Sequence, residues 1–288
     1  MTVDRMVEVV VAALGAHDDR HSIRGGLANL RTREERSAMT LEAVFFDVDG
    51  TIAETERGGH RVAYNAAFQE LGYPVHWDPE LYGKLLDVMG GKERIRFYWS
   101  QHPELPALSD AQVEQIHDVK AAHFRELVNE GRLELRIGVK RLLDELASRR
   151  VPISIASTIT FEGLDALLRK GLGDDWQDRF QYLGIGDVVP VKKPDPGIYL
   201  WLLERHGVDA RDVVTLEDTR AGLLASVGAG IPTLITPSDY TKDQDFSEAA
   251  CVASSLGDPG APAHWRLSSG AEGSGLIDVG FLEKLVSG

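Results

Sequence analysis

The chain has 288 residues, 43% of them hydrophobic, and its 45 acids against 31 Lys and Arg give a formal net charge of −14. That length admits one large domain or two modest ones with ample core, while the acidity excludes a protein built to grip nucleic-acid phosphates. No apolar run nears the ~18 residues of a membrane helix, and Cys251, the only cysteine, excludes an internal disulfide or a multi-cysteine metal site, so a cytoplasmic monomer is expected.

Residues 1–40 differ from the rest. "MVEVVVAALG" suits a short amphipathic helix, and the polar, mixed-charge stretch after it suits either a helical extension or an upstream start, since Met39 directly precedes the orderly part of the chain. Asp4, Glu8, Asp18 and Asp19 argue against a transit peptide. The first strand is "VFFDVDGT", an apolar run closed by two acids one residue apart, then Gly50 and Thr51. Alternate residues of a strand share a face, so Asp47 and Asp49 would point together if the strand ran straight. Two adjacent carboxylates repel, which calls for a divalent cation or a shared proton.

Residues 57–135 show helical periodicity and no convincing strand. From 136 onward apolar runs alternate with helical segments: "VPISIAS", "FQYLGIGDV", "VVTLED" and "IPTLIT" are separated by stretches such as "DPGIYLWLLERHG" and "TRAGLLASVGAG". Such alternation predicts an α/β fold, a Rossmann-like parallel sheet with helices on both faces. The helical block interrupts it and reads as an inserted all-helical cap (57–135) within a core of 41–56 and 136–288. The tail "GDPGAPAHWRLSSGAEGSG" reads as loop, and "LIDVGFLEKLV" as a closing strand or helix.

Four strand ends or following loops carry polar groups: Asp47 with Asp49, Ser157 with Thr158, Lys193 before Pro194, and Glu217 with Asp218. Ligands of open parallel sheets bind at the carboxyl ends of the strands, so these four can meet in one crevice. Each has a plainer explanation taken singly: a turn, a helix N-cap at Ser157–Thr158, a solvated lysine, acids at the start of a helix. All four must hold together for the plain account to stand.

This set of motifs resembles the haloacid dehalogenase superfamily of phosphatases and phosphomutases, in the subgroup with a helical cap. "AETERGGHRVAYNAAF", "GGKERI", "KKPDPGIYL" and "TPSDYTKDQDF" resemble the CbbY branch, whose associated activity is dephosphorylation of xylulose 1,5-bisphosphate. The resemblance implies Asp47 as nucleophile, Asp49 as acid and base, and Ser157 and Lys193 holding the phosphoryl oxygens. It implies Mg2+ held by Asp47, the Asp49 carbonyl, Asp218 and Glu217. The substrate, a small phosphorylated sugar, would meet Glu54, His60, Arg61, Gly91, Lys92, Arg94 and Thr158. A β-phosphoglucomutase-like mutase, a phosphoglycolate phosphatase and a non-catalytic phosphosugar sensor are alternatives. Departures from the usual pattern at Gly58, Gly163 and Arg136–Ile137 bear on the substrate rather than on the chemistry.

Overall fold

The computed structural model describes residues 41–287; the expectations for residues 1–40 lie outside them. Strand β1 (Ala43–Phe46) is buried along its whole length, lying parallel between β2 (Ile153–Ala156) and β4 (Val213–Glu217). Beyond β2 lies β3 (Tyr182–Gly184), and beyond β4 lie β5 (Thr233–Ile235) and β6 (Cys251–Ala253), all parallel. An antiparallel hairpin of β7 (Ala263–Leu267) and β8 (Glu272–Gly275) completes the order β3-β2-β1-β4-β5-β6-β7-β8.

That hairpin corrects the reading of the tail as loop. β8, Glu-Gly-Ser-Gly, buries little, and in β7 His264 and Arg266 are exposed while Ala263 is buried. β7 alternates, Ala-His-Trp-Arg-Leu, with Trp265 and Leu267 packed against the main core, but the pattern spans only five residues within a Gly-, Ser- and Pro-rich tail, and pairing to the open edge of β6 completes the strand.

Between β1 and β2 the chain is helical. A π-helical turn (Glu56–His60) leads into α1 (Arg61–Glu70), α2 (Pro79–Leu85), α3 (Gly91–Ser100) and the long α4 (Asp110–Asn129). Local chemistry sets the ends. Asp78 caps α2, with Pro79 at the first helical position, and Ser109 with Gln112 forms a capping box for α4. These helices enclose an aromatic core of their own that includes Tyr64, Phe68, Trp77, Tyr82 and Trp99. Two linkers join the block to the sheet, paired where Ala53 bridges Leu135 and where the Arg136 N–H donates to the Ile52 carbonyl at 2.9 Å.

The helices outside this block flank the sheet strands. The helices are α5 (Val139–Ser148), which precedes β2, then α6 (Phe161–Leu172), α7 (Gly197–His206), α8 (Arg220–Gly228) and α9 (Val279–Ser287). β1 shows why both faces are covered. Val44 and Phe46 enter one core with Leu142 of α5, Leu168 of α6 and Leu282 of α9, while Ala43 and Phe45 enter another with Tyr199 of α7 and Ala225 of α8. The fold is the α/β arrangement the alternation predicted, and the final segment closes as a helix. No helix among the described residues is long and apolar enough to cross a membrane.

Candidate active site

The sheet order reverses direction between β1 and β4: the chain steps from β1 to β2 and β3 on one side, then returns to β4 and β5 on the other. Such a switch point leaves a crevice at the strands' carboxyl ends. Asp47 directly follows β1, Ser157 directly follows β2, and Glu217 and Asp218 end and follow β4. A cleft of about 330 Å³ opens there between the sheet and the helical block. Asp47, Asp49, Ser157, Thr158 and Asp218 line it from the sheet side; His60, Gly91 and Arg94 line it from the helices.

Local structure frees the polar groups at the strand ends. Thr160, not Ser157 or Thr158, caps α6, its hydroxyl accepting from the Gly163 N–H at 3.3 Å. Thr219 caps α8 in the same way at 2.9 Å, so Glu217 and Asp218 precede that helix instead of lying in its first turn. Gly50 has φ +84°, and a Cβ there would lie 2.2 Å from Asp218 Oδ2. The turn after Asp49 therefore needs glycine twice over, for its left-handed backbone and for the close approach of the second acid.

Behind the cleft, Lys193 is buried and bound on three sides. Its Nζ donates to Asp47 Oδ1 at 2.8 Å, to Glu217 Oε1 at 2.5 Å and to the Ala156 carbonyl at 2.8 Å. Tyr199 of α7 also donates its hydroxyl to Glu217 Oε1. Asp47, Glu217 and Asp218 bring one carboxylate oxygen each to within 4.8 Å of one another, a group that could hold a metal ion. Burial pushes the Asp47 carboxyl well above the usual range; Lys193 opposes this, while Glu217 and Asp49 add to it. Asp218 is likewise raised, chiefly by burial and then by its acidic neighbours. Lys193, with Arg136 acting on Asp218, does not offset the burial of these carboxylates.

Asp49 is held differently. Burial pushes its pKa up, but His60, the Thr55 hydroxyl and Lys120 outweigh that and bring it to about 2. Its Oδ1 accepts from Thr55 Oγ1 at 2.5 Å and meets His60 Nε2 at 2.8 Å. On the far side of the ring, Lys120 Nζ lies 2.9 Å from His60 Nδ1. An ammonium has only protons to give, so a charged Lys120 makes Nδ1 the acceptor and leaves the ring proton on Nε2, pointing at Asp49. Phe124 stacks on the His60 ring at 4.1 Å and fixes its plane. Burial first, and Arg94 further off, lower Lys120 to about 8.

The structure does not bring every residue expected at the substrate into the cleft. Lys92 turns away to an ion pair with Glu114 at 2.7 Å. Arg61 donates to the Trp77 carbonyl at 3.2 Å and the Arg57 carbonyl at 3.3 Å. Glu54 does not line the cleft, and its carboxylate lies 4.0 Å from Arg136. Arg94 does line it, nearly buried, donating to the Leu85 carbonyl and the Tyr82 hydroxyl at 3.1 Å each. Tyr82 in turn donates to Glu56 at 2.6 Å.

Lys120, Glu56 and Tyr199 escaped the sequence reading, and Arg136 entered it only as a departure from the usual pattern. One signal was present for Lys120. It occupies a place in the apolar stripe of α4, Val113–Ile116–Lys120–Phe124–Leu127, where helical spacing calls for a hydrophobe. Arg136, at the second linker, ties three segments together. Its guanidinium donates to the Gly50 carbonyl, to the Thr236 carbonyl at 2.6 Å and to the Pro237 carbonyl at 2.8 Å.

With this geometry established, comparison with known proteins places the chain. A family model for haloacid dehalogenase-like hydrolases matches residues 41–230. The chain belongs to that family. It is therefore a hydrolase, of the phosphatase kind, and CbbY proteins stand among its relatives. It is 43% identical over 225 residues to the plasmid-encoded protein CbbY of Cupriavidus necator, covering 77% of this chain and 88% of that one. It is 37% identical to a CBBY-like protein of Arabidopsis thaliana, covering 75% and 70%. The crystal structure of CbbY from Rhodobacter sphaeroides in complex with phosphate superposes with a TM-score of 0.71 at 37% identity, covering 75% of this chain and 95% of that one. A variant of the same protein was solved in complex with xylulose 1,5-bisphosphate, with TM-score 0.71, 36% identity and the same coverage.

Proposed function

We propose that this hydrolase removes phosphate from a small phosphorylated sugar, with xylulose 1,5-bisphosphate the favoured substrate, by way of an aspartyl phosphate on Asp47. The observation that carries the reading is the division of labour between two neighbouring acids: Asp47 on the Lys193 ammonium and Asp49 on the Thr55–His60–Lys120 chain. The relative crystallised with xylulose 1,5-bisphosphate supports the choice of substrate.

In this reading an Asp47 carboxylate oxygen attacks phosphorus, and the P–O bond to the sugar breaks as the O–P bond to Asp47 forms. Asp49 gives its proton to the departing sugar oxygen, then takes one from the water that cleaves the aspartyl phosphate, so both acids end as they began. The neighbours that hold Asp49 ionised suit it to the second step. The first step needs a proton on it, and an incoming phosphate dianion beside it supplies the negative field that raises its proton affinity. Lys193 holds Asp47 in place and offsets part of its charge; Ser157 and Thr158 offer hydroxyls to the phosphoryl oxygens. Arg94, His60 and the backbone at Gly91 face the remainder of the sugar from the helical block (residues 57–135), which acts as a cap and keeps bulk water out.

The acidic group suits a divalent cation. Glu217 Oε2 and Asp218 Oδ1 are buried and receive no hydrogen bond from the protein, and the donors are all oxygens, which fits Mg2+ on the carboxylates of Asp47, Asp218 and Glu217 with the Asp49 carbonyl. When bound, Mg2+ would supply the positive charge that lets an ionised Asp47 approach an anionic phosphate.

Inorganic phosphate release tests the reading, measured on xylulose 1,5-bisphosphate, ribulose 1,5-bisphosphate, phosphoglycolate and hexose phosphates, with Mg2+ and with chelator. The expected result is Mg2+-dependent release, fastest from xylulose 1,5-bisphosphate. An isomerised sugar phosphate without phosphate release would replace hydrolysis by a mutase reaction, and preference for phosphoglycolate would overturn the substrate.

A further inference from the structure

The segment "TPSDYTKDQDF" follows β5, and the chemistry above uses none of its aromatic residues. Its turn is tight. The Ser238 N–H donates to Thr241 Oγ1 at 2.8 Å and the Thr241 N–H returns to the Ser238 carbonyl at 3.1 Å, leaving Asp239 and Tyr240 at the tip. Tyr240 leaves the sheet domain and joins the aromatic core of the helical block. Among the described residues, it is the one member of that cluster from outside residues 57–135. Its ring meets Tyr82 edge-on, with centroids 5.9 Å apart, and lies over Gly83. Beside it Asp239 pairs with Arg57 at 3.2 Å, an exposed contact of little weight.

Gly83 makes the fit informative. It lies in the interior of α2, where glycine is the poorest helix former apart from proline. A Cβ at this position would come within 3.0 Å of Tyr240 Cδ1 and 3.3 Å of Cε1, closer than carbon atoms ordinarily pack. The absent side chain is the space the tyrosine ring occupies.

We propose that Tyr240 is a positioning residue that anchors the cap over the cleft, seated in a socket made by Gly83 and Tyr82; this rests on the reading of the chain as a capped sugar phosphatase. α2 carries Tyr82, which binds both Glu56 and Arg94 on the cleft wall. A ring that fixes α2 therefore sets where those two groups face the sugar end of the substrate. It does not touch the acids that act on the phosphoryl end. Its effect should depend on whether the substrate reaches the cap.

The test is a double-mutant cycle of Tyr240→Ala and Gly83→Ala with two readouts. The first is kcat/KM on xylulose 1,5-bisphosphate and on p-nitrophenyl phosphate, a flat ester with no sugar end. Tyr240→Ala should lower the value for the bisphosphate about tenfold or more, mostly through KM, while the small ester stays within about twofold. Gly83→Ala should act the same way alone and add nothing in the Tyr240→Ala background. Equal losses on both esters, or a Gly83→Ala effect that persists without the ring, would overturn the anchor. The second readout is Tm, which requires no activity. Alanine favours the helix, so Gly83→Ala should raise Tm by about 2–4 °C when Tyr240 is alanine and fail to raise it when the ring is present. The same Tm change in both backgrounds overturns the proposal. Should the wild type hydrolyse neither ester, the phosphatase reading fails and the Tm cycle alone decides the anchor.

Discussion

Replacing Lys193 by methionine tests the electrostatics of the site most directly. Its ammonium is buried against Asp47 at 2.8 Å and Glu217 at 2.5 Å. At an effective dielectric of about 20, a contact of that length is worth about 6 kcal/mol, or roughly 12 kcal/mol for the two. Dehydrating the lysine takes back several of these. Removing one partner of a buried pair nonetheless costs about 3–5 kcal/mol, because the other charges stay behind unpaired. At roughly 2–4 °C per kcal/mol for a domain of this size, Lys193→Met should lower Tm by about 6–20 °C near pH 7.5. The sign of the pH dependence follows. Without the ammonium, Asp47 loses the attraction that counters its burial, so its folded pKa, already raised, rises further. A carboxyl with a raised folded pKa costs stability as pH rises from its unfolded value through its folded one, so the deficit is largest above both and shrinks as pH falls. Thermal unfolding at pH 5.0 and pH 7.5, with and without Mg2+, reads it. The gap to wild type should narrow at pH 5.0, and Mg2+ should narrow it at pH 7.5. A variant as stable as wild type at pH 7.5 without Mg2+ would refute the picture of a crowded acidic site held together by one lysine.

The other predictions concern single groups. Asp47→Asn should abolish turnover yet leave Tm unchanged or higher, since it removes a carboxyl that burial already disfavours; residual turnover would contradict covalent catalysis by Asp47. Lys120→Met should lower kcat about tenfold or more without loss of Tm, because the fold disfavours the buried charge while His60 depends on it for its tautomer. In the wild type, kcat should fall as pH rises through about 8, where Lys120 gives up its proton, and a flat profile there would argue against the lysine's role. Arg136→Met leaves the Gly50, Thr236 and Pro237 carbonyls without their shared donor and should cost about 1–3 kcal/mol or more, read by urea denaturation; an unchanged midpoint would show that water replaces the guanidinium at no cost.

Much of this protein could be read from the order of its residues. The alternation of apolar runs and helical stretches determined a parallel sheet, because a strand or helix must bury an apolar face whatever its neighbours are. The acids and Lys193 stood out because strand ends in such a sheet share one edge, so Asp47, Ser157 and Asp218 had to come close. Other features depended on contacts between distant segments. The β7–β8 hairpin carries an alternation of only five residues, Ala263 to Leu267, and becomes a strand pair by meeting the edge of β6. Lys92 and Arg94 stand two residues apart at the start of one helix, yet one turns out to Glu114 and the other into the cleft, a choice made by the rotation of α3 against α4. Lys120 and Tyr240 gain their meaning only across the fold, one against His60 and the other against Gly83. The physical reason is range. Periodicity and strand-end chemistry are local and survive as pattern, whereas a buried charge or a ring in a socket is defined by a partner dozens of residues away, whose side-chain direction only packing decides.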